Sequence, residues 1–65
     1  MRPTRTETLT DAAADQRLRA VGARLQRDKS EPGRYVYYAA SARTWITAER
    51  VPIGIRLQFY GACPC

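Results

Sequence analysis

The sequence predicts a small α/β fold of the α+β class, in which an N-terminal amphipathic helix is followed by a strand–helix–strand unit. Three observations carry this expectation. Ala14, Leu18, Val21 and Leu25 recur at steps of four, three and four, and on a 3.6-residue period they form one narrow apolar stripe. The run Arg34–Ala40, rich in Tyr and Val, follows the turn signal Pro32-Gly33 and reads as a strand. After Pro52, Ile53, Ile55, Leu57 and Phe59 alternate with Gly54, Arg56, Gln58 and Tyr60, the pattern of a half-buried strand. The alternative is a helix followed by a three-stranded antiparallel sheet. Arg34 to Tyr60 holds the one Trp, the one Phe and all four Tyr, so the core is built around it.

Residues 1–9 lack an apolar period and are expected as a flexible arm, with Arg2 and Arg5 within reach of a phosphate backbone. The helix should begin at Thr10, an N-cap residue, with Asp11 in the first turn where the helix dipole favours a carboxylate. Leu9, before the cap, is placed to pack on Ala14. The pairs Asp15–Arg19 and Arg24–Asp28 are spaced for i,i+4 support, and the helix should fade at Asp28–Lys29. Arg17 and Arg24, seven apart, then share one flank and make a basic helix face, either a phosphate-binding ridge or a solvated surface.

In the strand Arg34–Ala40, Tyr35, Tyr37 and Ala39 face one way and Val36, Tyr38 and Ala40 the other. Aromatics on both sides imply that both faces are covered or that one carries a binding surface. Ser41–Val51 is expected as a helix. Ser41 can cap it, Ala42, Trp45 and Ala48 follow at helical steps, and Pro52 stops it. Read instead as a strand, the segment would need a tight hairpin turn at Ala40-Ser41-Ala42, which holds no Gly, Asn or Pro to take positive φ. The organisation expected is thus a flexible arm over 1–9, one small α/β domain over 10–61, and a cysteine-containing tail over 62–65. Two strands alone make a poor sheet, so a homodimer through a strand edge is a natural completion.

A chain of 65 residues buries only about 60% of its unfolded surface and is marginal without a staple or a partner. The formal net charge is +5, from eleven basic and six acidic residues, and Lys29 is the one lysine among the basic ones. Arg offers a planar fork suited to phosphates and carboxylates, and it stacks on aromatic rings. A GC-rich genome gives the same bias. The charge favours acidic partners, either nucleic acid or an acidic protein surface. No apolar run spans a bilayer and no apolar segment follows the basic N-terminus, so no membrane association and a cytoplasmic location are expected.

There is no histidine, and the four glycines make no phosphate-binding loop. The carboxylates show no sign of a shared pocket. The chain is therefore expected not to be an enzyme and to need no cofactor. Cys63 and Cys65 cannot supply the four ligands of a closed structural zinc site within one chain, although two copies could share one. A disulfide between them would close too small a ring to staple the fold. They fit an incidental tail, a soft-metal or redox pair, or the modified end of a ribosomal peptide precursor.

The stretch that opens on Ala40-Ser41 and closes on Val51-Pro52-Ile53-Gly54 resembles the strand–helix–strand of small phage proteins that inhibit host RNA polymerase. The resemblance implies a protein-binding regulator. The sequence departs from that pattern at Phe59 and Gly61, near where those inhibitors carry basic contact residues.

The functional expectation is a small, basic, non-enzymatic binding or regulatory module acting on nucleic acid or a nucleoprotein complex. Contacts would come from Arg34, Tyr35, Tyr37, Arg43 and Arg56, aromatics that stack bases beside cations that neutralise phosphates. A phage- or mobile-element-type inhibitor of a host protein, such as a transcription component, is the alternative. The peptide precursor is the second.

Overall fold

The computed structural model describes residues 2–64. It is a five-stranded antiparallel sheet with one α-helix, not a helix followed by strand–helix–strand. The elements are β1 (Arg5–Leu9), α1 (Asp11–Ala20), β2 (Arg24–Leu25), a 3₁₀ turn (Arg27–Lys29), β3 (Arg34–Ala39), a second 3₁₀ turn (Ala40–Ala42), β4 (Thr44–Val51) and β5 (Gly54–Tyr60). The strand order is β1-β5-β4-β3-β2, so β3, β4 and β5 form a central meander with one further strand on each side. The sheet thus has two strands more than the three-stranded alternative.

Three corrections account for the difference. First, Arg5–Leu9 is not a flexible arm but strand β1, paired with β5 from Arg5–Phe59 to Leu9–Ile55. Its alternation of Thr with Arg, Glu and Leu has too little apolar contrast to signal a strand, and the pairing partner lies some fifty residues away along the chain.

Second, α1 begins where expected and ends early. Thr10 caps it, its Oγ1 accepting from the Ala13 N–H at 3.2 Å. At the other end Gly22 takes φ +69°, and the Gly22 and Ala23 N–H groups donate to the Arg19 and Leu18 carbonyls at 3.0 and 2.9 Å. This is a Schellman closure, in which glycine adopts the left-handed conformation at no Cβ cost. Leu25 therefore leaves the helical stripe and lies on β2, 41% exposed. Asp15 and Arg19 do pair, at 3.0 Å, whereas Arg24 and Asp28 fall outside any α-helix.

Third, Ser41–Val51 is not a helix. Ala40–Ala42 form a 3₁₀ turn, and Arg43 supplies the positive φ (φ 49°, ψ 43°) that closes a hairpin onto β4. An arginine thus occupies a backbone conformation usually left to Gly or Asn. With the helix gone, the segment that resembled the phage inhibitors' strand–helix–strand is a β-hairpin and its flanking strand.

The core lies between α1 and one face of the sheet. Ala14, Ile46, Ala48, Leu57 and Phe59 are buried there, with Leu9, Leu18, Val21, Ala23, Tyr37 and Ile55 packed around them. Ile55, Leu57 and Phe59 are the alternating face expected of the last strand, while Ile53 sits in the β4–β5 turn and is 79% exposed. Gly54 (φ +147°) lies where a Cβ would run into the Leu9 carbonyl, so the end of β1 can cross close to the turn only over glycine. No helix among the described residues is long and apolar enough to cross a membrane.

Candidate binding face of the sheet

The antiparallel register sorts the sheet's side chains between two faces. Tyr35, Tyr37, Ile46, Ala48, Ile55, Leu57 and Phe59 are on the α1 side with Glu7 and Leu9, since cross-strand partners share a face. Among the described residues no α-helix lies over the other face. It carries three rows across the strands: Arg24–Tyr38–Trp45–Tyr60, then Val36–Thr47–Gln58–Thr6, then Arg34–Glu49–Arg56–Thr8.

The first row is aromatic. The Tyr38 and Trp45 ring centroids are 4.6 Å apart with planes tilted by 40°, and Lys29 places its Nζ 5.9 Å from the Trp45 ring centroid. Both rings are half-buried and Tyr60 is buried, its hydroxyl donating to Gln58 Oε1 at 3.4 Å. Lys29 is held over this row because the segment that carries it is tied to β3. The Gln26 N–H donates to the Val36 carbonyl at 2.8 Å. Ser30 Oγ donates to the Gln26 carbonyl at 2.8 Å and accepts the Val36 N–H at 2.9 Å.

The middle row is the floor, where Val36 and Thr47 are fully buried. The third row is charged. Arg56 pairs with Glu49 at 3.6 Å, its side chain 42% exposed, and Arg34 lies on the far side of Glu49. Two polar atoms of this face, Thr47 Oγ1 and Arg56 Nε, are buried without a hydrogen-bond partner among the described residues. An unsatisfied buried donor on a guanidinium is costly. Arg24, Lys29, Arg34 and Arg56 stand against Glu49, which pairs Arg56, and Asp28, which pairs Lys29 at 3.4 Å, so the face is net cationic.

The structure brings together only part of the contact set expected from sequence. Arg34 and Arg56 stand on the helix-free face. Tyr35 and Tyr37 are on the opposite face, where Tyr37 packs against the core and Tyr35 is 47% exposed. There they line a groove of about 380 Å³ with Asp11, Asp15, Leu18 and Arg50. Burial raises the Tyr37 hydroxyl pKa, and the Asp15 carboxylate adds to the shift. Arg50 is held by Asp11 in a bidentate pair at 3.0 and 3.3 Å. Arg43 is exposed in the β3–β4 turn, two residues along the chain from Trp45.

The basic helix face does not exist as expected, because Arg24 is on β2. Arg17 lies over the Phe59 ring at 5.2 Å and donates to both carboxylate oxygens of Glu7, at 3.1 and 3.3 Å. That pairing, with a contribution from Arg5, holds the Glu7 carboxyl below its ordinary value. Arg17 is thus a packing and pairing residue.

Sequence reasoning left Lys29, Tyr38, Trp45 and Tyr60 out of the contact set. The signal was the hairpin register: once Arg43 closes the turn, Tyr38 must face Trp45, and Tyr60 follows on the next strand. Among the described residues no three His, Cys, Asp or Glu cluster to hold a metal ion. Cys63 has a bonding partner and is not free, and Cys65 lies outside the described residues. Comparison with protein-family profiles, curated proteins and solved structures returns no match.

Proposed function

We propose that this chain is a small non-enzymatic binding module that takes single-stranded nucleic acid on the helix-free face of its sheet. The observation that carries the reading is the half-buried ring pair Tyr38–Trp45, flanked in its row by Arg24 and the buried Tyr60, with Lys29 above it and the Arg34–Glu49–Arg56 row parallel to it. Unstacked bases gain about 1–3 kcal/mol each from stacking on aromatic side chains, whatever their identity, and cations beside the rings neutralise the backbone. Duplex is disfavoured because its bases are not exposed for stacking. Tyr38 and Trp45 take the place of Tyr35 and Tyr37 in this reading, while Arg34 and Arg56 keep theirs. A cytoplasmic setting belongs to the same proposal.

The test is capture with the full chain from lysate, split between nuclease-treated and untreated halves, followed by titration of a single-stranded oligonucleotide at several salt concentrations. The expected result is nuclease-sensitive capture and affinity that falls linearly on a log–log salt plot. One protein retained at equal stoichiometry in both halves would replace this reading with that of a protein-binding regulator. A bait of shortened mass bound to neither would point to the peptide precursor.

A further inference from the structure

We infer that two copies of this chain join through β1 in one defined antiparallel register, centred on Thr6. The sheet's two edges differ. At one end β2 has two residues, and the neighbouring stretch of β3 is occupied by Gln26, Ser30 and the Glu31–Arg34 bridge. At the other end β1 has five residues, and its outer side has no strand against it among the described residues. An edge of that length presents unpaired N–H and C=O groups to any matching strand.

The sequence of this edge is complementary to itself. Reversed about Thr6, Thr4-Arg5-Thr6-Glu7-Thr8 becomes its own charge complement, with Thr set against Thr and Arg against Glu. In an antiparallel pair centred on Thr6, each Arg5 faces Glu7 of the partner copy, Thr6 faces Thr6, and Thr4 faces Thr8. Opposite charges directly across a pair stabilise and like charges do the reverse. Moving the centre to Glu7 sets carboxylate against carboxylate, and moving it to Arg5 sets guanidinium against guanidinium, so both neighbouring registers are disfavoured.

The side chains are already arranged for this pairing. Arg5 is 68% exposed and reaches back to Glu7 of its own chain at 2.7 Å, so it can turn to the partner's Glu7 at little cost. Glu7 is only 14% exposed and stays anchored by Arg17 at 3.1 Å, which keeps its carboxylate on the α1 face. Pro3 lacks an N–H and ends the ladder beyond Thr4. The twofold axis runs perpendicular to the sheet. It therefore places both helices on one side and joins the two helix-free faces into a continuous surface.

Sedimentation equilibrium of the full chain, free of nucleic acid, tests this apart from any ligand reading. The expected result is a monomer–dimer equilibrium. Arg5→Glu should weaken it by about tenfold or more, the size of roughly 1.4 kcal/mol, with the circular dichroism of the fold retained. A single cysteine, introduced into a chain with Ser at 63 and 65, reads the register. Thr6→Cys should give a covalent dimer on mild oxidation and Thr8→Cys should not, because Thr8 faces Thr4. A wild-type chain that stays monomeric at every attainable concentration would overturn the inference. So would an Arg5→Glu dimer of undiminished strength, or equal cross-linking through position 8.

Discussion

Tyr38 and Trp45 face each other across the β3–β4 hairpin with ring centroids 4.6 Å apart, on the side of the sheet that has no helix. The pair is the joint product of two local features: the positive-φ Arg43 that closes the turn, and the strand period that turns both rings to the same face. Aromatic pairs of this kind contribute about 0.5–1.5 kcal/mol beyond the area they bury. Here they also present π surface between cations.

Tyr38→Ala is expected to weaken single-stranded oligonucleotide binding by about 1–3 kcal/mol, the cost of one stacking partner. Tyr38→Phe should keep most of the affinity, because stacking needs the ring and not the hydroxyl. Trp45 is the single Trp, so quenching of its fluorescence on titration reads binding directly in both variants.

Arg56→Ala should reduce affinity for all single-stranded sequences alike and lower the salt slope by about one phosphate contact, roughly 0.7 for single strands. Arg24→Ala, at the far end of the aromatic row, should do the same. Arg50→Ala should leave the slope unchanged, because Arg50 lies on the α1 face in a pair with Asp11. Titrations at three salt concentrations separate the cases.

Gly54→Ala is expected to destabilise by about 1–3 kcal/mol, an overpacking cost, because the added methyl meets the Leu9 backbone and the position has positive φ. Arg43→Gly should do the opposite. Relief of a left-handed non-glycine residue is worth about 1–2 kcal/mol, offset in part by the greater freedom glycine gives the unfolded chain. Thermal or urea unfolding of both variants checks the two signs together.

Glu7 fixes a pH dependence. Its folded-state pKa is depressed, first by the hydrogen bond from Arg17 and then by the charges of Arg17 and Arg5. Such a carboxylate contributes stability that is fully present above its unfolded value, about 4.3, and is lost as pH falls through the lower folded value. Glu7→Gln should therefore reduce stability at neutral pH and flatten the acid limb of the stability profile, as measured by urea midpoints at successive pH values.

The local signals in the sequence were legible wherever one residue type decides the outcome. Thr10 marked the helix start, Pro52 ended a segment, and the alternation from Ile55 to Phe59 gave a strand with the correct buried side. Gly22 was the same kind of signal, but the Leu18–Val21–Leu25 spacing continued past it and masked the helix end. The β3–β4 hairpin was hidden because its left-handed position holds Arg43, and an Ala-Ser-Ala stretch reads as a helix start. β1 was hidden for a non-local reason, since its strand character comes from pairing with β5 and its own side chains carry little contrast. The missed hairpin moved the site: without it, Tyr38 and Trp45 have no common face, and Tyr35 and Tyr37 look like the exposed pair.

Binding is proposed to take place on the helix-free face. Backbone amide shift mapping of the ¹⁵N-labelled chain, titrated with a single-stranded oligonucleotide, tests it most directly. Shifts are expected to concentrate at Arg24, Lys29, Arg34, Tyr38, Trp45, Arg56 and Tyr60 and to be reversed by added salt, with α1 and Tyr35 unmoved. Shifts confined to α1 and the groove beside Tyr35, or no shifts at saturating oligonucleotide, would contradict it.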